Sequence, residues 1–141
     1  PMDGIVPYRM EHCVTLEATS NKPINQFWKD RLTDVLIGSV KADDGTLLHL
    51  STEEYEHLFD WKRVCKEVTV IQPLFYVRQK DGRLKMQAVW AKSCRGAMVR
   101  FILNNRPVTH EELSAFSYEG FEFAPQLGDE NNPHFVRENI K

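Results

Sequence analysis

Four cations, Lys92, Arg95, Arg100 and Arg106, fall within residues 91–106, a stretch otherwise dominated by small and apolar side chains. Lys and Arg pair with phosphates, and Arg can do so through two parallel hydrogen bonds. That chemistry needs the charges on one surface. Wound as a helix at about 100° per residue, the segment gathers Cys94, Ala97, Met98, Phe101 and Ile102 on one side. Lys92, Gly96, Arg100 and Arg106 lie off that side, with Arg95 at its edge. As a strand, alternation would put Arg95 and Arg100 on opposite faces. The spacing therefore predicts a helix that docks on a core and offers cations to an anionic partner. Gly96 lets a ligand or a backbone approach closely. The plainer alternative is a solvated face, or cations paired with carboxylates elsewhere in the domain.

Other chemistry has weaker support. Glu54-x-x-His57 has the carboxylate–imidazole spacing of a di-iron helix, but such sites need a second motif and further carboxylates. Glu54 also has a structural role as the partner of Ser51 in a capping box. His12, His49, His110 and His134 show no metal-ligand spacing, so no metal or other cofactor is expected. His12 and His110 read as surface residues, and His49 as a semi-buried, satisfied histidine. Cys94 borders Lys92 and Arg95, which could lower its thiol pKa and suit redox sensing, although its apolar position makes it first a packing residue. No G-x-S-x-G, P-loop or H-E-x-x-H is present. Glu11, Glu17 and Glu119 could border a hydrolytic cleft, but their spacing marks no pair.

These side chains need a scaffold, and the chain supplies one. At 141 residues with 42% apolar and 27% charged side chains, it suits one globular domain. The formal charge of −2 gives no global basic field, so a polyanion site must be a local patch. Three cysteines without a C-x-x-C pair favour a reducing compartment. No apolar run approaches the roughly 18 residues that cross a bilayer. A cytoplasmic location is the default expectation.

Along the chain, residues 12–17 read as a short strand or extended lead-in. Asn21 and Pro23 open a helix with Ile24, Phe27, Trp28, Leu32, Val35 and Leu36 at three-four spacing, ending or weakening near Gly38. Asp43, Asp44 and Gly45 make a turn before a short buried strand over residues 46–50. Ser51 and Glu54 start a second helix that buries Tyr55, Leu58 and Phe59. Residues 67–79 read as a long strand, reversed at Lys80, Asp81 and Gly82 into a partner over 84–90. The basic helix follows. Pro107 separates it from a second capping box, Thr109 to Glu112, with Val108 and Leu113 as its staple. Gly120 ends that short helix. Phe121 and Phe123 alternate along a strand running out to a loop over 128–133, and residues 134–137 return as the last strand. The order predicts an α+β fold: a mixed sheet with a hairpin, flanked by helices.

The run A-K-x-x-R-G-x-M-x-R-F-I-x-x-N-R over residues 91–106 resembles the signature of the YaaA peroxide-stress protein family. Ordered matches accompany it: Pro7-Tyr8-Arg9-Met10-Glu11, Gln26-Phe27-Trp28, Leu50-Ser51-x-x-Glu54-Tyr55, Lys80-x-Gly82-x-Leu84-Lys85, Glu111-x-Leu113 and Glu119-Gly120-Phe121-x-Phe123. Members are about twice this length, and the similarity is to their C-terminal half alone. The Ser-Pro-Ala-Lys-Thr run and the helix-hairpin-helix-like stretch of the N-terminal half have no counterpart here. Residues 1–141 are therefore expected to be the C-terminal portion of a larger domain, as a fragment, a truncated product or one piece of a split protein. By itself the chain is expected to be poorly stable or to self-associate. The resemblance implies resistance to hydrogen peroxide, reduced damage from unincorporated iron, and binding of double-stranded DNA. Lys92, Arg95, Arg100 and Arg106 fall on signature positions and are the candidate phosphate contacts. Arg9, in a family motif, and Lys29, outside one, are candidate rim contributors. The alternative is an enzyme of unknown reaction, using Arg95 and Arg100 to hold a phosphorylated or otherwise anionic small molecule. Direct iron sequestration is a third reading, with sparse ligands.

Overall fold

The computed structural model describes residues 24–106 and 110–138, so the readings made for residues 12–17, for Arg9 and for 107–109 lie outside it. Helix α1 (Ile24–Lys41) follows the expected three-four spacing but buries Thr33, Ile37 and Val40. Val35, expected on the packed side, is 66% exposed. Thr33 can be buried because its hydroxyl is satisfied twice. It donates to the Lys29 carbonyl at 2.7 Å and accepts from the Asp60 amide at 2.8 Å. Gly38 does not end the helix, which continues to Lys41.

After the Asp43–Gly45 reversal comes β1 (Thr46–Leu48). The capping box read at Ser51 and Glu54 does not form. A short 3-10 helix, Glu53–Leu58, starts there instead, and Thr52 at its head makes no side-chain cap. Tyr55 and Leu58 are exposed rather than buried. The Ser51 hydroxyl is engaged by the ring of His49, which explains why it caps nothing. Asp60 caps the next helix, α2 (Trp61–Glu67), by accepting from the Arg63 amide at 3.2 Å.

The long strand expected over 67–79 is two strands in two sheets. β2 (Thr69–Ile71) pairs in parallel with β1, and β3 (Leu74–Arg78) enters the main sheet. Pro73, which carries no amide donor, lies between them. The hairpin at Lys80–Gly82 is present, but its second strand, β4 (Leu84–Lys85), is short. Residues 88–90, expected in that strand, already belong to α3 (Ala88–Asn105). Then come α4 (His110–Ser114), β5 (Ser117–Tyr118), β6 (Phe121–Gly128) and β7 (Pro133–Glu138). Gly120 does not end α4. With Glu119 it makes the two-residue turn between β5 and β6, at φ 49° and 80°.

The main sheet has strand order β4-β3-β7-β6-β5. β7 pairs in parallel with β3 and antiparallel with β6, so the sheet is mixed and the fold is α+β, as the element order predicts. Its core is aromatic: Phe75, Phe116, Phe121 and Phe135 are all buried around one another. Phe116 meets Phe135 edge-on at 5.5 Å between centroids, and such pairs add about 0.5–1.5 kcal/mol beyond the area they bury. Cys94 and Met98 of α3 close this core. A smaller cluster of Ile37, Val40, Val64 and Val68 holds α1 and α2 to the two-stranded sheet.

Candidate nucleic-acid interface

Helix α3 shows the division of faces that its sequence requires. Ala91, Cys94 and Met98 are fully buried, while Ala97, Phe101 and Ile102 are half-buried at the margin. Lys92, Gly96, Arg100 and Arg106 are exposed, and Arg95 is half-buried at the edge. At about 100° per residue Lys92, Arg95 and Arg100 spread over roughly 140° of the solvent side, with Arg100 on one flank, Lys92 in the middle and Arg95 on the other flank, while Arg106 follows the last turn as the C-cap. Among the described residues, none of the four is engaged in an ion pair. Their charge is therefore available to an external partner.

One flank carries a groove of about 520 Å³. Arg100, Gly96, Ser93 and Asn104 line it from α3, and Phe116, Ser117 and Tyr118 from the segment leading into β5. Gly96 has nothing within 4 Å of where a Cβ would stand, so its surface is open to a ligand. Lys92, Arg95 and Arg106 share the exposed side of the helix but do not line this groove. Lys29 lies on α1, which packs against α2, the 3-10 helix and β1, and it does not line the groove either. Arg9 is outside the described residues.

Arg106 closes the helix in an unusual way. It takes a left-handed conformation at φ 47° and ψ 55°, and its amide bonds to the Ile102 carbonyl at 2.8 Å. Glycine is the common residue at such a helix end. Here a cation stands at the negative pole of the helix, where its charge is stabilised.

Two other site readings change. Cys94 is not activated by Lys92 and Arg95. Burial pushes its thiol up to about 11, opposed only in part by the charge of Arg137, so it is a packing residue. Glu54 and His57 lie on a 3-10 helix, not an α-helix, and both are exposed. The described residues contain no group of three or more potential metal ligands. Glu119 is exposed at the tip of the β5–β6 hairpin.

The sequence reading did not anticipate the polar wall of the groove, Ser93 and Asn104 with Ser117. Ser93 and Asn104 fall on the Arg100 flank at helical spacing, which was a usable signal. Nor did it anticipate Arg137, whose guanidinium lies 4.3 Å from the centre of the Trp90 ring. That contact joins distant parts of the chain, and no local pattern announces it.

The family model described as "Peroxide stress protein YaaA" matches residues 1–127. The chain is 44% identical over 136 residues to a UPF0246 protein of Bacteroides thetaiotaomicron, covering 96% of this chain and 52% of that one. It is 46% identical over 138 residues to a UPF0246 protein of Porphyromonas gingivalis, covering 98% of this chain and 54% of the relative. A UPF0246 protein of Bacteroides fragilis is 47% identical over 136 residues, with 96% and 52% covered. An α+β chain with an α3-borne cationic face thus belongs to the YaaA peroxide-stress protein family. It spans about half the length of the curated relatives it matches. No helix among the described residues is long and apolar enough to cross a membrane.

Proposed function

We propose that the chain serves a YaaA-like protection against peroxide in the cytoplasm by binding duplex DNA through α3. The observation that carries this reading is the set of four cations on the solvent side of α3 and at its C-cap, none of them in an ion pair with described residues. Lys92 to Arg106 spans about 20 Å of helix axis at 1.5 Å per residue. That is the length of about six base-pair steps at 3.4 Å of duplex axis each. Contacts of this kind fix position without reading bases, so binding is largely independent of sequence. A duplex covered in this way is shielded where unincorporated iron would otherwise turn peroxide into damage.

Fluorescence anisotropy with a labelled duplex, at stepped salt concentrations, tests the proposal. Four phosphate contacts give a log–log salt slope of about −3 to −4. Arg95→Ala and Arg100→Ala each weaken binding and flatten the slope by about 1. Affinity unchanged by salt and by both substitutions sinks the reading.

The groove beside Arg100 supports a second reading, an enzyme acting on a phosphorylated or anionic small molecule. Phe101, Phe116 and Tyr118 line the groove together with Arg100, which suits a ligand with one apolar and one anionic end. In that case Arg100→Ala abolishes binding of the small molecule, while Lys92→Ala and Arg106→Ala leave it unchanged.

A further inference from the structure

A second pocket lies away from α3, bounded by α1, β1, the 3-10 helix and α2, with a volume of about 280 Å³. Its wall is mostly apolar, formed by residues such as Leu36, Leu47, Phe59 and Trp61. His49, Ser51 and Glu56 interrupt that wall, and they form a chain of hydrogen bonds. Glu56 Oε1 is 3.0 Å from His49 Nε2, and Ser51 Oγ is 3.1 Å from His49 Nδ1. The imidazole is only 6% exposed.

The roles follow from the donor inventory. A carboxylate only accepts, so His49 Nε2 carries the proton directed at Glu56. In the neutral ring, which the relay requires, His49 Nδ1 is then the acceptor and Ser51 Oγ donates to it. Ring and backbone are both held. The Trp61 ring packs 4.8 Å from the imidazole, and the His49 amide bonds to the Ile71 carbonyl at 2.8 Å. Both nitrogens of so buried an imidazole need a partner, and Glu56 serves only one of them. Here its second nitrogen faces the hydroxyl of a half-buried serine that itself lines the pocket.

We propose that Ser51, His49 and Glu56 form a nucleophile–base–acid relay that hydrolyses esters carrying a short, uncharged acyl group. The arrangement has the logic of a hydrolase triad, with the acid and the serine exchanged between the two ring nitrogens. Ser51 Oγ bonds to the carbonyl carbon of the ester while its proton passes to His49 Nδ1. The bond to the alcohol breaks, and the alcohol leaves with that proton. Water then adds to the acyl-serine, giving its proton to Nδ1. Collapse releases the carboxylic acid, and Ser51 Oγ recovers the proton. One ester and one water become one acid and one alcohol. Glu56 is a positioning residue that fixes the tautomer, and the apolar wall selects an uncharged acyl group.

The 141-residue chain is incubated with a fluorophosphonate, the adduct is located by peptide mass spectrometry, and turnover of p-nitrophenyl butyrate is followed. Expected is a single adduct on Ser51, absent in Ser51→Ala, together with ester hydrolysis. His49→Gln slows both by about 100-fold or more. Glu56→Gln slows both by a smaller factor that Glu56→Asp restores. Circular dichroism melts accompany each variant. No adduct on Ser51 in the folded chain, or labelling that survives His49→Gln with an unchanged melt, overturns the proposal. If the His49 and Glu56 variants unfold, the adduct on unaltered Ser51 and its loss in Ser51→Ala decide the matter.

Discussion

The Arg137 guanidinium of β7 lies 4.3 Å from the centre of the Trp90 ring of α3, tying the basic helix to the central strand of the sheet. Its Nη1 is buried and has no hydrogen-bond partner among the described residues. These two facts oppose each other. A cation over an indole contributes about 0.5–2 kcal/mol. An unsatisfied buried donor costs about 1–3 kcal/mol. Arg137→Met keeps the packing stem and removes both effects, so the expected change in unfolding free energy is within about 1 kcal/mol. Trp90→Ala loses the cation contact and its packing on Phe121 as well, and is expected to be clearly more damaging. Urea denaturation of the two variants checks the order.

Phe135 is fully buried and touches Phe75, Phe116 and Phe123. Phe135→Ala is expected to lower stability by about 3–5 kcal/mol, the range for emptying a buried aromatic site. A denaturation midpoint within error of the parent chain would show that this cluster does not hold the sheet together.

Legibility followed the range of the interactions. The two faces of α3 were readable because helical periodicity is a local property. So were the turns at Gly45 and Gly82, both at positive φ. Ser51 does not cap because its competing partner, His49, lies two residues earlier, and alternation along extended backbone puts the two on one side. Residues 67–79 look uniformly β-like, and only the break at Pro73 tells that they feed two sheets. The aromatic core and the Arg137–Trp90 contact are tertiary, and nothing in their neighbourhoods encodes them.

Cysteine reactivity separates sharply. Cys94 is buried with its thiol near 11, so its thiolate fraction at neutral pH is below about one in a thousand. Cys65 is exposed, although burial of its sulfur and the charge of Glu56 raise its thiol above the ordinary range. Iodoacetamide at neutral pH is expected to modify Cys65 at least tenfold faster than Cys94. Equal rates by peptide mass spectrometry would mean that α3 opens readily.

Acid is expected to loosen the fold. Hydrogen bonds from Lys41 and then Arg63 hold Glu67 below its ordinary 4.5. The Asn132 amide, then its side chain, holds Asp129 below 3.8. Both groups bind fewer protons folded than unfolded in acid, so stability rises with pH there. Their contribution is complete above the ordinary values and is lost as pH falls through the depressed ones. Glu67→Gln and Asp129→Asn should each flatten the dependence of the denaturation midpoint below about pH 4.5. Asp129 is exposed and Glu67 half-buried at the surface, so the effect is modest.

The solvent side of α3 is not purely polar. Val89 and Leu103 are 78% and 71% exposed, with Val99 also exposed between them. Apolar surface at this spacing favours association. The chain is expected to self-associate in sedimentation experiments, and Leu103→Glu with Val99→Ser to shift it toward monomer. Monomeric behaviour of the unaltered chain at high concentration would remove this expectation.

Of the described strands, β7 is the last in chain order, yet it occupies the middle of the main sheet, between β3 and β6. Two half-sheets, β4–β3 and β6–β5, thus await a single late arrival before either inner edge is closed. On a ribosome, the unpaired edges and the phenylalanines beneath them stay uncovered until Pro133–Glu138 emerges from the exit tunnel. Rapid translation through that stretch, or a holding chaperone, would decide how much nascent chain reaches the native state.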